Sequence, residues 1–305
     1  MLKRILEVVD LVDTASASAA KVADWLRGLG AEVEIVALEG PGHTDLLRVT
    51  VRGSEGSRAG GSAPTLGVIG RLGGIGPRPQ KLGLMSDADG AIVALASAGG
   101  LARMRRLGDV LRGDVLIRTH ISASSPMVPR EPAPLVDSPA DRDTLARAEV
   151  DPEMAAILSI DSTRANRIAK QSGFAITGTV KEGYILRPTN AMLDVYERVA
   201  GRPPVVLPLF TQDITPSGNL VHHINSIMQP STLTDAPVVG VALLAPVVVA
   251  AVATGVLREQ ELAAAATFVV EVAKEFSAGS LPFYHEDELC RLVEMYGSLR
   301  HLQKH

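Results

Sequence analysis

The sequence predicts a three-layer α/β/α protein with a mixed, mostly parallel central sheet, and three observations point there. Short apolar runs without polar alternation recur at 65–70 (TLGVIG), 114–121 (DVLIRTHI) and 155–161 (AAILSID), the pattern of strands covered on both faces. Between the first two runs lies the Ala/Leu-rich stretch 89–113 with a basic end; read as a crossover helix, it completes a βαβ unit. Finally, 305 residues with 46% hydrophobic content suffice for a large core, read as a single α/β domain over 1–305.

In chain order, apolar spacing near 3.6 in MLKRILEVVDLVD and SAAKVADWLRGLG predicts two opening helices, the second closed by Gly28 and Gly30. AEVEIVAL and DLLRVTVRG read as strands, and the Gly/Ser-rich 53–64 as an exposed loop. In the crossover helix, Ser86 is an N-cap candidate, Asp87 and Asp89 favour the start, and Arg103, Arg105 and Arg106 suit the end. Residues 122–150 carry five prolines and read as an excursion serving as a lid, a substrate wall or an oligomer arm. MLDVYERVAG reads as a helix, PPVVLPLF and DAPVVGVALL as strands, and LREQELAAAATFVVEVAKEF and DELCRLVEMYG as closing helices.

Composition excludes several classes. A net charge of −4 with interspersed acids and bases offers no field for a polyanion, so nucleic acid is not a partner. The lone Cys290 can form neither an internal disulfide nor a zinc–thiolate cluster, and its place in DELCRLVEMYG reads as core. The apolar 238–257 is long enough for a bilayer span, yet Pro246, two glycines and β-branched residues favour a buried strand followed by a loop and a helix start. With no signal-peptide pattern in the opening stretch, a cytoplasmic location is expected.

The Gly-rich GVIGRLGGIGPRP has no G-x-G-x-x-G register, and Pro77 and Pro79 stand where a phosphate-binding helix would begin. The candidate chemistry is positional. Ligands of parallel α/β sheets gather beyond the carboxyl ends of strands, and there Arg71 follows TLGVIG, His120 ends DVLIRTH and Asp161 ends AAILSID, while Asp87 and Asp89 open the intervening helix. A histidine converging with carboxylates suits a zinc, manganese or cobalt ion. His222, His223 and Asp213 are available to complete the set. Each also has a structural reading: helix capping for Asp87 and Asp89, a hydrogen-bonded core histidine for His120. Arg71 suits a substrate carboxylate, or an ion pair with Asp87 or Asp89.

The stretches APTLGVIGRLGGIG, SDADGAI, VDPEMAAILSID, TVKEGYILR, TQDITP and HINSI closely resemble a bacterial family catalogued as domain of unknown function 1177. More distantly, over about 65–275, the order of elements is similar to that of zinc aminopeptidases with the phosphorylase/hydrolase-like fold. That resemblance implies a helix-start ligand at Asp87 and a later Asp ligand at Asp161. The chain departs from it elsewhere: Arg71 stands at the first ligand His, Gly73 at the Asp two further on, Thr119–His120 at a Glu-Glu pair, and the late ligand His is absent.

The expectation is a metal-dependent hydrolase of an amide bond in a small carboxylate-bearing substrate, such as a dipeptide or an N-acyl amino acid, assembled as a homo-oligomer. Asp87, His120, Asp161 and His223 would hold the divalent ion, and Arg71 would clamp the substrate carboxylate. Asp213 or Glu182 would be the general base. The alternatives are a non-catalytic small-ligand-binding or regulatory protein and a metal-free racemase or lyase.

Overall fold

The computed structural model describes residues 1–38, 43–71, 74–129, 135–217, 220–221, 223, 226–249 and 258–303. Helices α1 (Leu2–Val12) and α2 (Ala19–Leu29) precede a hairpin of β1 (Glu32–Leu38) and β2 (Thr44–Val51). Helix α2 starts where Ser18 accepts from the Lys21 N–H and stops where Gly30 takes a φ of 100°, a conformation that favours glycine. The predicted βαβ unit is β3 (Leu66–Gly70), α3 (Asp89–Arg106) and β4 (Val115–Ile121), with β3 and β4 parallel. Strand β7 (Ala156–Ser162) pairs parallel with β3, and β11 (Val238–Leu244) with β7.

The remaining strands complete a nine-stranded sheet. Strands β8 (Gly173–Lys181), β9 (Tyr184–Leu186) and β10 (Val206–Leu207) extend it beyond β11, giving the order β1-β2-β4-β3-β7-β11-β8-β10 with β9 on β8. The parallel centre β4-β3-β7-β11 is flanked by antiparallel β2 and β8, which bears out the mixed α/β reading.

Helices α5 (Asn190–Ala200) and α6 (Glu259–Ser277) join α1, α2 and α3 on one face, over Val68, Ile117, Leu158 and Val241. The other face carries Ile69, Leu116, Ile157 and Ala242, covered by Ile227 and Met228 from a 3-10 segment at Ser226–Thr232. There, helix α4 (Arg142–Glu149) lays Leu145 against Leu46 of β2. Helix α7 (Glu286–Tyr296) packs Leu289 on the β9 side.

Several expectations change. Residues 122–150, read as an excursion, hold among the described residues a small hairpin, β5 (Met127–Val128) with β6 (Leu135–Val136), and α4. PPVVLPLF yields only the two-residue β10, whereas β8 is a full strand that the apolar pattern did not mark. Cys290 is exposed, because the buried position of α7 is its neighbour Leu289, about 100° away around the helix. The stretch 53–64 is mostly exposed, anchored where the Gly53 and Arg58 N–H groups donate to Asp114 at 2.8 and 3.0 Å. Segment 238–244 is β11, residues 250–257 lie outside the described ones, and no described helix is long and apolar enough to cross a membrane.

Helix α3 is buried nearly all round, and glycine lets it reach the strand ends. A Cβ on Gly90 would stand 2.5 Å from the Ile160 carbonyl oxygen and 2.6 Å from that of Arg71. Gly90→Ala is therefore expected to destabilise by about 1–3 kcal/mol. Gly100→Ala, on the same helix, would meet only the far end of the Met1 side chain and is expected to be neutral or stabilising. Urea midpoints of the two variants test this pair; equal midpoints would contradict the close approach.

Candidate functional site

Sheet register places three polar residues in one row. Gly70 is opposite Thr119 on β4 and Ile160 on β7. The Arg71 N–H donates to the Ile160 carbonyl at 2.8 Å, carrying the ladder one step on. Arg71 thus lies between His120 and Asp161. Side chains alternate along strands, so His120, Arg71 and Asp161 share the face of Leu116, Ile69 and Ile157, opposite the main helix layer. All three are buried.

Other elements close over this row. Asp87 sits in a 3-10 turn, Ser86–Ala88, and neither it nor Ser86 caps α3, whose N-cap is Ala88 with no side-chain bond. Asp87 Oδ2 instead accepts from the Val136 N–H at 2.8 Å. Glu149, the last residue of α4, is fully buried; its Oε2 meets Arg71 Nη1 at 2.5 Å and its Oε1 lies 3.9 Å from His120 Nδ1. Glu149 Oε1 and both ring nitrogens of His120 have no hydrogen-bond partner among the described residues.

Asp161 is better satisfied, accepting from its neighbour Ser162 N–H at 2.7 Å and from Ser226 Oγ at 3.1 Å. Burial pushes its carboxyl up to about 6; Arg71 pulls against that shift and Glu149 adds to it. Burial pushes Asp87 up to about 7, opposed by the Val136 N–H and reinforced by the charges of Asp161 and Asp89. A second ion pair supports the rim, with Arg164 Nε 2.7 Å from Asp89 Oδ2. Arg164 Nη1 also reaches the Leu244 carbonyl at 2.8 Å and Glu261 at 3.4 Å. Burial raises Asp89 to about 6 despite Arg164.

Of the residues singled out by sequence, Arg71, Asp87, His120 and Asp161 thus gather at one end of the sheet. Arg71 pairs with Glu149 rather than with Asp87 or Asp89, and Asp89 pairs with Arg164. Glu182 is elsewhere: β8 runs antiparallel to β11, so its carboxyl end lies beside Val238, where β11 begins. Glu182 pairs there with Lys181 and Arg300, which hold its carboxyl below the usual value despite partial burial. Asp213 accepts from the Phe210 N–H at 3.0 Å, closing its own 3-10 turn. His223 meets the Thr215 hydroxyl at 3.2 Å, and His222 lies outside the described residues.

Glu149 is the site residue that the sequence reading missed. An acid at a helix C-terminus opposes the helix dipole, and one following an apolar helix face needs a buried partner. DRDTLARAE carries that signal faintly.

The donor chemistry suits a hard divalent ion: Asp87, Asp161, Glu149 and His120 supply oxygen and imidazole ligands, and the unpartnered, fully buried His120 nitrogens are such donors. The charges also leave room for a cation, since Asp161 and Glu149 share the guanidinium of Arg71 while Asp87 meets only the Val136 N–H and the like charges of Asp161 and Asp89. As arranged, however, no three His, Cys, Asp or Glu side chains among the described residues are grouped to hold a metal ion. The four-ligand set Asp87, His120, Asp161 and His223 is therefore not assembled, and Arg71 stands in the row between two of its members.

Fold and site together define an α/β protein with a buried acid–histidine–arginine cluster at the carboxyl ends of its central strands. Residues 37–305 match the family described as "Protein of unknown function (DUF1177)", and the chain belongs to that family. No curated protein matches the sequence. Among solved structures, the bottromycin maturation enzyme BotP shares the fold at a TM-score of 0.54 and 16% identity, over 91% of this chain and 70% of that one. BotP in complex with Mn gives 0.53 and 16%, over 90% and 70%. Leucine aminopeptidase LAP1 of Caenorhabditis elegans gives 0.51 and 12%, over 92% and 65%. At these identities the likeness is one of fold, and it agrees with the aminopeptidase-like architecture expected from the order of elements.

The raised carboxyl values have a signed consequence. Between about pH 4 and 7 the folded state holds more protons on Asp87, Asp161 and Asp89 than the unfolded chain does, so stability falls as pH rises through that window. The melting temperature of the metal-free protein is expected to be lower at pH 8 than at pH 5. Asp87→Asn should flatten that slope and stabilise the protein at pH 8. Parallel slopes for variant and parent would refute the assignment.

Proposed function

We propose that this protein is a metal-dependent hydrolase of an amide bond in a small carboxylate-bearing substrate, a dipeptide or an N-acyl amino acid. The observation that carries this reading is a group of buried carboxylates beside an imidazole whose nitrogens have no hydrogen-bond partner among the described residues, at the carboxyl ends of parallel strands. It is supported by a fold shared with a maturation enzyme in complex with Mn and with a leucine aminopeptidase.

Asp87, Asp161 and His120 would hold the ion, manganese, zinc or cobalt. When bound, it would polarise the scissile carbonyl and lower the pKa of a bound water. Glu149 takes the general-base role in place of Asp213 and Glu182: its unpartnered Oε1 faces the same cluster and would accept the attacking water's proton and return it to the leaving amine. Arg71 would orient the substrate by its carboxylate, a role for which a planar guanidinium is suited. Val136 and Ser226 bond to Asp87 and Asp161 over the cluster, whose side chains are buried.

A metal-free acid–base reaction, racemase or lyase, draws on one observation, an Asp87 carboxyl poised at about 7. Metal dependence separates the two. At pH 8, excess manganese is expected to raise the melting temperature, since a free-ion concentration a hundredfold above Kd adds about 2.7 kcal/mol. Asp161→Asn and His120→Ala should each remove most of that gain. N-acyl amino acids and dipeptides should be cleaved only with added manganese, zinc or cobalt. A protein whose melting point ignores all three ions, or whose turnover survives chelation, is not the enzyme proposed.

A further inference from the structure

Resting on the metal-dependent reading above, the geometry points to a more specific device, which we propose: Arg71 is the internal counter-charge of the ion-free site, and a divalent ion releases it to bind the substrate carboxylate. Three observations meet here. Arg71 is the one guanidinium in the row, fixed in register between His120 and Asp161. It is already committed, at 2.5 Å from Glu149, with both side chains buried. And the acids around it outnumber it, since Glu149 is its ion-pair partner and Asp161 draws on the same positive charge.

A group held this way serves poorly as a substrate clamp, because a substrate carboxylate must compete with Glu149, which is covalently tethered beside it and so acts at high effective concentration. A dication changes the balance. It neutralises the same acids, so Glu149 and Asp161 no longer need Arg71, and an unpaired buried guanidinium then favours a new anion. Ion and carboxylate therefore bind with positive coupling, each raising the affinity for the other by the same factor. In this scheme α4 carries the competing carboxylate, fixed by Glu149 on Arg71.

The test reads binding alone. Manganese affinity is measured from the electron paramagnetic resonance signal of the free ion, and affinity for N-acetylleucine by calorimetry with and without manganese. In the parent protein manganese should tighten N-acetylleucine binding at least tenfold. Arg71→Met should bind manganese at least tenfold more tightly, and N-acetylleucine weakly and independently of the ion. Glu149→Gln should do the opposite on both counts, weakening manganese and tightening N-acetylleucine in its absence; it carries the test by itself if the arginine variant does not fold. If parent and Arg71→Met bind manganese equally, or Glu149→Gln leaves ion-free N-acetylleucine affinity unchanged, the exchange is wrong while the metal reading stands. If neither parent nor variants take up manganese, the metal reading falls and the exchange with it.

Discussion

The Arg71–Glu149 ion pair is the contact on which the candidate site depends. Burying a guanidinium and a carboxylate costs several kcal/mol each in lost hydration, and the cost is recovered only with short, well-placed partners. At 2.5 Å with both groups buried, this pair fixes the last residue of α4 to the end of β3. It thereby turns the stretch between β4 and β7 from a surface excursion into a wall of the site. The Val136 N–H bond to Asp87 is a second fastening of that wall, and Leu145 on Leu46 a third. Along the segment the apolar anchor, Leu145, lies between the two polar ones, Val136 and Glu149.

Beneath the wall, the close approach of α3 does comparable work. Gly70 and Gly90 let backbone meet backbone where β3 ends and α3 begins, which brings Asp87 and Asp89 to the level of the strand ends. Asp89 is then caught by Arg164, whose guanidinium also reaches the end of β11 and the first turn of α6. Two buried arginines, one on each side of β7, thus tie the carboxyl ends of β3, β7 and β11 to the helices and to α4. Substitution at either would disturb packing as well as charge, because the site and the fold share these anchors.

How much of this was legible in the sequence follows from how each feature is encoded. The βαβ unit and the central strands were legible because strands buried on both faces write uninterrupted apolar runs. Strand β8, GFAITGTVK, was not, since its threonines and glycines break the run even though all but its last residue are buried. Arg71, His120 and Asp161 were legible as polar endings of apolar strands. Glu149 was not: its role depends on α4 folding back across the sheet, which no local pattern records. The same lack of long-range information misplaced Glu182, for nothing in the sequence near it says that β8 runs against β11 and carries that residue to the far edge. Asp213 has a local role as well, its carboxylate closing its own turn.

The cluster also shows why capping and site formation need not compete. Asp87 and Asp89 look like helix-start acids, and the partly positive N-terminus of α3 does favour negative charge there. Yet Asp87 bonds to Val136 and Asp89 to Arg164, so the dipole acts as a background field while both carboxylates face other chain segments. That field, the guanidiniums of Arg71 and Arg164 and a few N–H and O–H donors are what offset the carboxylates near the strand ends. Burial outweighs them, which is why Asp87 and Asp161 are pushed up to about 7 and 6. Such a cluster can settle its charge by taking up protons or by taking up a cation, and these are mutually exclusive at a shared carboxylate. Under the metal-dependent reading proposed above, protons and a divalent ion would therefore compete for the same carboxylates near neutral pH.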